Sequence, residues 1–456
     1  LLKFRNKSDI LYIVTMFGES TMNNLSFYLV TDTHYYDSSF KRSGPAYEKR
    51  SQTDQKCVAE TPAIIDAGFA QLLDDDETNI ILIPGDLVYR GEYQSHVGFR
   101  DRLYKLKEQG KKIYLITARH DYCEDGEQVE FDGESLVPVK GMPRSELRDF
   151  YKDFGFADAI SEHRETMSYV AQIADGIRLL ALNCDGDCKN FKGIWQNQMQ
   201  WALEQIKAAK ESGNYIFAMT HYPLLPFSPI MNLIDDAHLT DWEQTATALA
   251  DAGLDLIFTG HMHAQAITDY TTKSGNKITD VQTGCFVGCP CAYRKITFVD
   301  DGVVIKSYTI NDFDYDKHGL TAEQYFKWRF DRMINVKMNE ILPKPAIKIL
   351  DKFTLKKLGR FLWFKVDPSI SDRLAKDVGI ELVRNIFIGN EPYVEGTPMY
   401  EAMKMLLKRL RPITRVVERK MGEKNPILSD IPTFVLSMIG DSKQRDYDTV
   451  IKINRY

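Results

Sequence analysis

Between Asn24 and about Asn311 the chain alternates short runs of consecutive apolar residues with stretches whose apolar positions recur at helical spacing. The runs LSFYLVTD, NIILIPGD, KKIYLITARH, IRLLALNCD, NYIFAMTH and LDLIFTGH are rich in β-branched and aromatic residues and too short for helices, so they predict buried strands. AIIDAGFAQLLDDD, HVGFRDRLYKLKEQG and NQMQWALEQIKAAKESG lie between them with helical periodicity, the last closing on a glycine suited to a helix C-terminus. This alternation predicts an α/β fold. NKITDVQTG and RKITFVDDGVVIKSYTI follow, with DDG placed as a hairpin turn, so the sheet region should end on antiparallel strands.

The polar, turn-rich NDFDYDKHG marks the boundary. Residues 1–318 form the expected α/β domain, and residues 319–456 a mainly helical C-terminal domain or cap. Thr321 and Gln324 have capping-box spacing at the start of its first helix. A chain of 456 residues accommodates two such domains.

Composition, 44% hydrophobic and 27% charged, is that of a soluble globular protein, and no apolar run approaches a membrane span. The sequence starts at Leu1 rather than Met, so it fits either a cytoplasmic protein or one exported after loss of a leader not present here. Cys57, Cys123, Cys184, Cys188, Cys285, Cys289 and Cys291 are an odd set without paired CxxC motifs, which predicts small buried side chains rather than disulfides or a thiolate zinc site. Charge is uneven: from Thr321 onward 26 Lys and Arg face 17 Asp and Glu, whereas 32 face 47 before it. The acidic first part argues against a nucleic-acid partner. The basic, amphipathic KILDKFTLKKLGRFLWFK fits weak contact with a membrane or partner, and equally a solvated face or docking on the acidic domain.

Polar residues concentrate where the predicted strands end. The first run gives Asp32 and His34, the second Asp86, and the third Arg119, His120 and Asp121. His221 follows the fifth run, and His261 and His263 follow the sixth. Asn183 and Asp185 follow the fourth, with their role open. Sites in open α/β sheets gather at the carboxyl ends of strands. Imidazoles and carboxylates without matching thiolates suit borderline divalent ions such as Mn, Fe, Zn or Ni. There are too many ligands for one tetrahedral ion. They suit two ions about 3.5–4 Å apart bridged by a carboxylate, an arrangement used in metal-assisted phosphoester hydrolysis. A nearby histidine would protonate the leaving oxygen. No serine elbow, P-loop or dinucleotide-binding glycine pattern competes.

In order, DTH, GD, ARHD, TH and GHMH resemble the motifs of the calcineurin-like metallophosphoesterase family, over about residues 24–310. The resemblance implies a β-sandwich flanked by helices and two divalent metal ions acting on a phosphate mono- or diester through a metal-activated water. It further implies that Asp32, His34 and His263 hold one ion, Asp86 bridges, and His221 and His261 hold the second. His120, between Arg119 and Asp121, would protonate the leaving oxygen or contact phosphate.

Two departures stand out. Arg119 replaces the family's metal-ligating asparagine, and a guanidinium has no lone pair to give. The second ion then has fewer ligands, or Arg119 swings aside, or it stands near phosphate as a fixed positive charge. In GDLVYRG, which resembles GDxVDRG of Ser/Thr protein phosphatases, Tyr89 takes the place of an acidic partner of the catalytic histidine; Arg90 matches a phosphate-binding arginine by position only. A scaffold with an impaired second metal site is the alternative to an enzyme. Tyr35, Tyr122 and Tyr222 adjoin motifs and could line a substrate pocket. Cys123–Arg144 and the stretch after His221 read as long loops that could form its walls. His96, His163, His238 and His318 lie away from strand ends and are expected to be solvated.

Overall fold

The computed structural model describes residues 25–123, 128–186, 191–228, 231–232, 235–300, 302–421, 431–440 and 446–453. Cys188 and the first 24 residues lie outside these. Each of the six apolar runs forms a strand: β1 (Ser26–Leu29), β2 (Ile80–Pro84), β3 (Lys112–Ile116), β8 (Ile177–Ala181), β9 (Tyr215–Met219) and β10 (Leu256–Thr259). Pairing runs β1–β2–β3 and β8–β9–β10 in parallel. Strands buried on both faces need no polar alternation, which is why these segments read as continuous apolar runs.

Two mixed sheets result. Outside β1–β3, the six-stranded sheet has the order β15–β14–β13–β1–β2–β3, with β13 (Ala292–Val299) and β14 (Gly302–Thr309) as the expected hairpin and β15 (Thr449–Lys452) at its edge. The seven-stranded sheet runs β11–β12–β10–β9–β8–β7–β6, adding β6 (Ala159–His163), β7 (Ser168–Ala174), β11 (Ala266–Thr271) and β12 (Lys277–Gln282). Their inner faces meet through aromatics. Phe27 of β1 stacks on Phe217 of β9 at 5.5 Å and meets the edge of Phe258 of β10 at 5.4 Å. Each such buried ring contributes about 1.5–3 kcal/mol. Helices α1 (Pro45–Thr53), α2 (Thr61–Leu73), α3 (Tyr93–Glu108), α4 (Arg144–Phe150), α5 (Gln196–Glu211) and α6 (Trp242–Ala252) lie along this part of the chain.

The segment expected to be a long loop after Cys123 instead contains a hairpin, β4 (Gln128–Asp132) and β5 (Ser135–Val139), turning at Gly133 with φ of 62°. Its acidic composition and three glycines concealed the pairing.

The C-terminal region is mainly helical, from α7 (Ala322–Ile341), α8 (Lys344–Lys352), α9 (Leu355–Phe361) and α10 (Ala375–Ile388) to α11 (Pro398–Met421) and α12 (Ile431–Ile439). Thr321 and Gln324 form the predicted capping box. Tyr325, Phe326, Phe330 and Met333 of α7 nevertheless belong to the main core, while Leu355, Leu358, Val378, Met399, Met403 and Ile439 form a separate helical one. The chain then returns. Fully buried Arg294 donates to the carbonyls of Gln282, Asp446 and Tyr447, holding the segment that leads into β15. Among the described residues no helix is long and apolar enough to cross a membrane.

Candidate metal centre

Because β1, β2 and β3 run parallel, as do β8, β9 and β10, the residues that follow them emerge at one end of the sandwich. The chain turns sharply there. Asp32, His34, Asp86, His261 and His263 all have positive φ, between 38° and 71°. Such backbones cost non-glycine residues roughly 1–3 kcal/mol each and persist where the surroundings over-determine them. Gly85, with φ of 90°, lies so close to Ala118 and His221 that a Cβ would come within 2.8 Å of Ala118 Cβ.

These turns gather donors into two groups that share Asp86: Asp32, His34 and Asp86, and Asp86, His221 and His261. His34 Nε2 is 3.6 Å from both Asp32 Oδ1 and Asp86 Oδ2. His221 Nε2 is 3.2 Å from Asp86 Oδ2, and His263 Nε2 is 3.3 Å from Asp32 Oδ1 and 3.1 Å from His34 Nε2. All five side chains are buried or nearly so. Donors bonded to one ion at about 2.0–2.2 Å stand roughly 3.0–3.6 Å apart.

The far ring nitrogens fix which lone pairs point inward. His221 Nδ1 donates to the Pro84 carbonyl at 2.8 Å and His263 Nδ1 to Gln55 Oε1 at 3.1 Å, so each Nε2 faces the donor cluster. His261 Nε2 donates to the Asp236 carbonyl, so its Nδ1 carries the lone pair. Asp32 Oδ1 and His221 Nε2 are buried without a hydrogen-bond partner. Acceptor atoms crowded together in this way suit a cation, so the residues fit divalent ions. Cys285 also lies beside His34 and His263, but its thiol donates to the Asp32 carbonyl at 3.1 Å, and burial raises its pKa further.

The electrostatics are those of tightly coupled charges. Burial opposes ionisation of Asp32 and Asp86, yet His263 beside the first and His221 beside the second hold both well below the usual carboxylate range. Burial would lower His221, but Asp86 outweighs it and raises the imidazole to about 9. Burial and Lys56 push His34 down to about 4, and burial with His221 and Arg119 pushes His261 to about 3.

His120 stands at the edge of the cluster, its ring 5.1 Å from that of His34. Its Nδ1 donates to the backbone carbonyl of Tyr89 at 2.9 Å. The Tyr89 hydroxyl instead binds Asp54 and Arg50. Asp121 is spent on the backbone: Oδ1 accepts from Leu87 and Val88, and Oδ2 from Ala118, tying the β2 and β3 ends together. Arg119 makes an ion pair with Asp236.

Asp236 was not singled out by sequence. It also accepts from the Tyr222 hydroxyl at 3.0 Å, and the Tyr222 ring lies 4.0 Å from that of His261. Tyr35 points toward α3, where it accepts from Arg102 and donates to Asp37, and Tyr122 is buried in the main core. The Arg90 guanidinium sits 6.0 Å from the centre of the Tyr89 ring. At the fourth strand end Asn183 binds Thr117, and Asp185 pairs with Arg144. His96 corrects an expectation. It is fully buried, between the Tyr151 hydroxyl and the Asp121 carbonyl, because α3 turns it inward under the β3 end.

The sequence profile described as calcineurin-like phosphoesterase matches residues 25–265. No curated protein matches the sequence. Among solved structures, a dimetal phosphatase from Danio rerio is 13% identical, with a TM-score of 0.45, over 66% of this chain and 98% of its own. A purple acid phosphatase from yellow lupin (Lupinus luteus) seeds is 13% identical with a TM-score of 0.41, over 64% of this chain and 52% of its own.

Proposed function

The chain belongs to the calcineurin-like phosphoesterase family, and from that premise we propose that it hydrolyses a phosphate mono- or diester at a binuclear centre of Mn, Fe, Zn or Ni. Asp32, His34 and His263 hold one ion in this reading, Asp86 bridges, and His221 and His261 hold the second. The observation that supports it most directly is the sharing of Asp86 by two donor groups, with Asp32 Oδ1 and His221 Nε2 buried and unpartnered. Desolvating such acceptors is costly unless a cation engages them. Bound divalent ions would polarise the phosphoryl oxygens and lower the pKa of water.

The protein's own groups do the rest. The Tyr89 carbonyl fixes the His120 ring through Nδ1; burial and Lys56 hold this imidazole well below its usual range, so Nε2 rests unprotonated and would pass on to the leaving oxygen a proton taken up during turnover. Asp121 positions both motif loops through three backbone amides. Arg119, held by Asp236, gives a fixed positive charge in place of a ligand. The same pairing favours a second reading, a binding or scaffold protein with an impaired second site.

The test is metal content per chain after purification without chelator, with hydrolysis of an aryl phosphate monoester and diester. Two equivalents with turnover are expected, and His120→Asn should cut turnover about 10²-fold or more at unchanged metal content. Neither metal nor turnover after reconstitution with Mn or Zn would replace the enzyme by the scaffold.

A further inference from the structure

Lys56 lies between α1 and α2, far in sequence from every strand end and motif. Its backbone is fixed against the loop before β13 by a bridge to Gly288 and by the Cys57 amide donating to the Val287 carbonyl. The neighbouring Gln55 accepts from His263, so this segment forms a wall of the donor cluster. The Lys56 side chain is only 7% exposed, and its Nζ lies 3.5 Å from His120 Nε2.

That placement is unusual for a buried ammonium, which ordinarily requires a carboxylate partner. Among the described residues, no carboxylate lies within ion-pair distance of Lys56. Asp54, the nearest in sequence, is occupied by Arg50 at 2.9 Å and by the Tyr89 hydroxyl at 2.9 Å. Lys56 instead faces the Nε2 of His120, whose ring is anchored through Nδ1 on the Tyr89 carbonyl, and the Tyr89 ring, whose centre is 5.5 Å from Nζ. Arg119, the other cation beside the cluster, is already balanced by Asp236. Among the described residues the Lys56 ammonium thus stands beside His120 with no carboxylate in direct contact, its field reaching Asp54 only at longer range.

We propose that Lys56 binds the phosphoryl group of the substrate and makes the site selective for the dianion of a phosphate monoester over the monoanion of a diester. The proposal rests on the hydrolase reading and gives it a substrate class. A monoester presents three terminal oxygens and two charges. Its phosphoryl group can engage the donor cluster and still offer a charged oxygen to the ammonium. In a diester one of those oxygens is esterified and one charge is gone.

The experiment uses the full-length, metal-loaded protein and compares wild type with Lys56→Met and Lys56→Arg. For each, kcat/KM is measured on an aryl phosphate monoester and diester, inorganic phosphate affinity by calorimetry, and metal content by elemental analysis. Lys56→Met should lower monoester kcat/KM about 10²-fold and phosphate affinity by at least about tenfold, as expected for loss of a charged hydrogen bond. The diester should change about threefold or less, with metal content and Tm unchanged, and Lys56→Arg should recover part of the loss. Equal losses on both esters with loss of metal would overturn the proposal, making Lys56 a structural support. Unchanged phosphate affinity would also overturn it. If wild type hydrolyses neither ester, the hydrolase reading fails, while the phosphate titration still judges Lys56.

Discussion

Gly260 is the point where the proposed centre is most tightly built, and replacing it with alanine is the sharpest test of the packing. A Cβ there would lie 2.5 Å from Asp32 Oδ2 and 2.1 Å from Thr31 Oγ1, whereas ordinary contact begins at 3.4 Å. Asp32 would have to retreat by about 0.9 Å and Thr31 by about 1.3 Å, judged against that limit. Neither can move freely. Asp32 Oδ2 accepts from the Thr31 hydroxyl at 2.7 Å and from the His261 amide at 2.9 Å, and both residues are completely buried. Overpacking costs about 1–3 kcal/mol, and weakening hydrogen bonds to a carboxylate adds about 1–2 kcal/mol. The expected loss is thus about 2–5 kcal/mol in urea unfolding of the metal-free protein. In the loaded protein, metal content should fall below that of wild type, because the displaced carboxylate is a proposed ligand. Gly284→Ala is the control. It lies across the site near His263, but its nearest neighbour would be Gln265 Cγ at 3.5 Å, so it should be nearly neutral. Wild-type stability and metal content in Gly260→Ala would refute the reasoning, as would an equal loss in Gly284→Ala.

Arg119→Asn replaces a cation that cannot ligate with an amide oxygen that can, beside Asp86 and His261; occupancy of the second ion should rise by elemental analysis at limiting metal, and unchanged occupancy would mean that Arg119 does not limit it. Glu92 is buried, which raises its carboxyl from 4.5 to about 7, so the folded state binds more protons than the unfolded chain and stability falls as pH rises between those values. Glu92→Gln should therefore resemble wild type near pH 4.5 and exceed it by up to about 3 kcal/mol at pH 8 in urea unfolding, at about 1.4 kcal/mol per pH unit; a pH-independent difference would rule out the charge as the cause.

The strands of the central parallel set, the ordered ligand motifs and the capped helix at Thr321 were legible in the sequence because each is local. A doubly buried strand must be a short apolar run, and a side chain placed just past its end needs no distant information to reach the site. The strands β4–β6 and β15 were not, because partly exposed edge strands tolerate charges and carry weak patterns; β7, though buried, was not read either. His96 was misjudged for a related reason: helix position alone does not say which face of α3 the sheet end covers.

Tertiary structure alone decided which polar groups complete the centre. Gln55 orients His263, Asp236 holds Arg119, Tyr222 and His261, and Lys56 stands beside His120, each from a segment with no motif. The turns of Asp32, His34, Asp86, His261 and His263 are likewise imposed by what surrounds them, not by residue type. Sequence determined where donors leave the strands; only the closed sandwich determined which lone pairs and charges face one another, because those contacts join residues as far apart as Gln55 and His263.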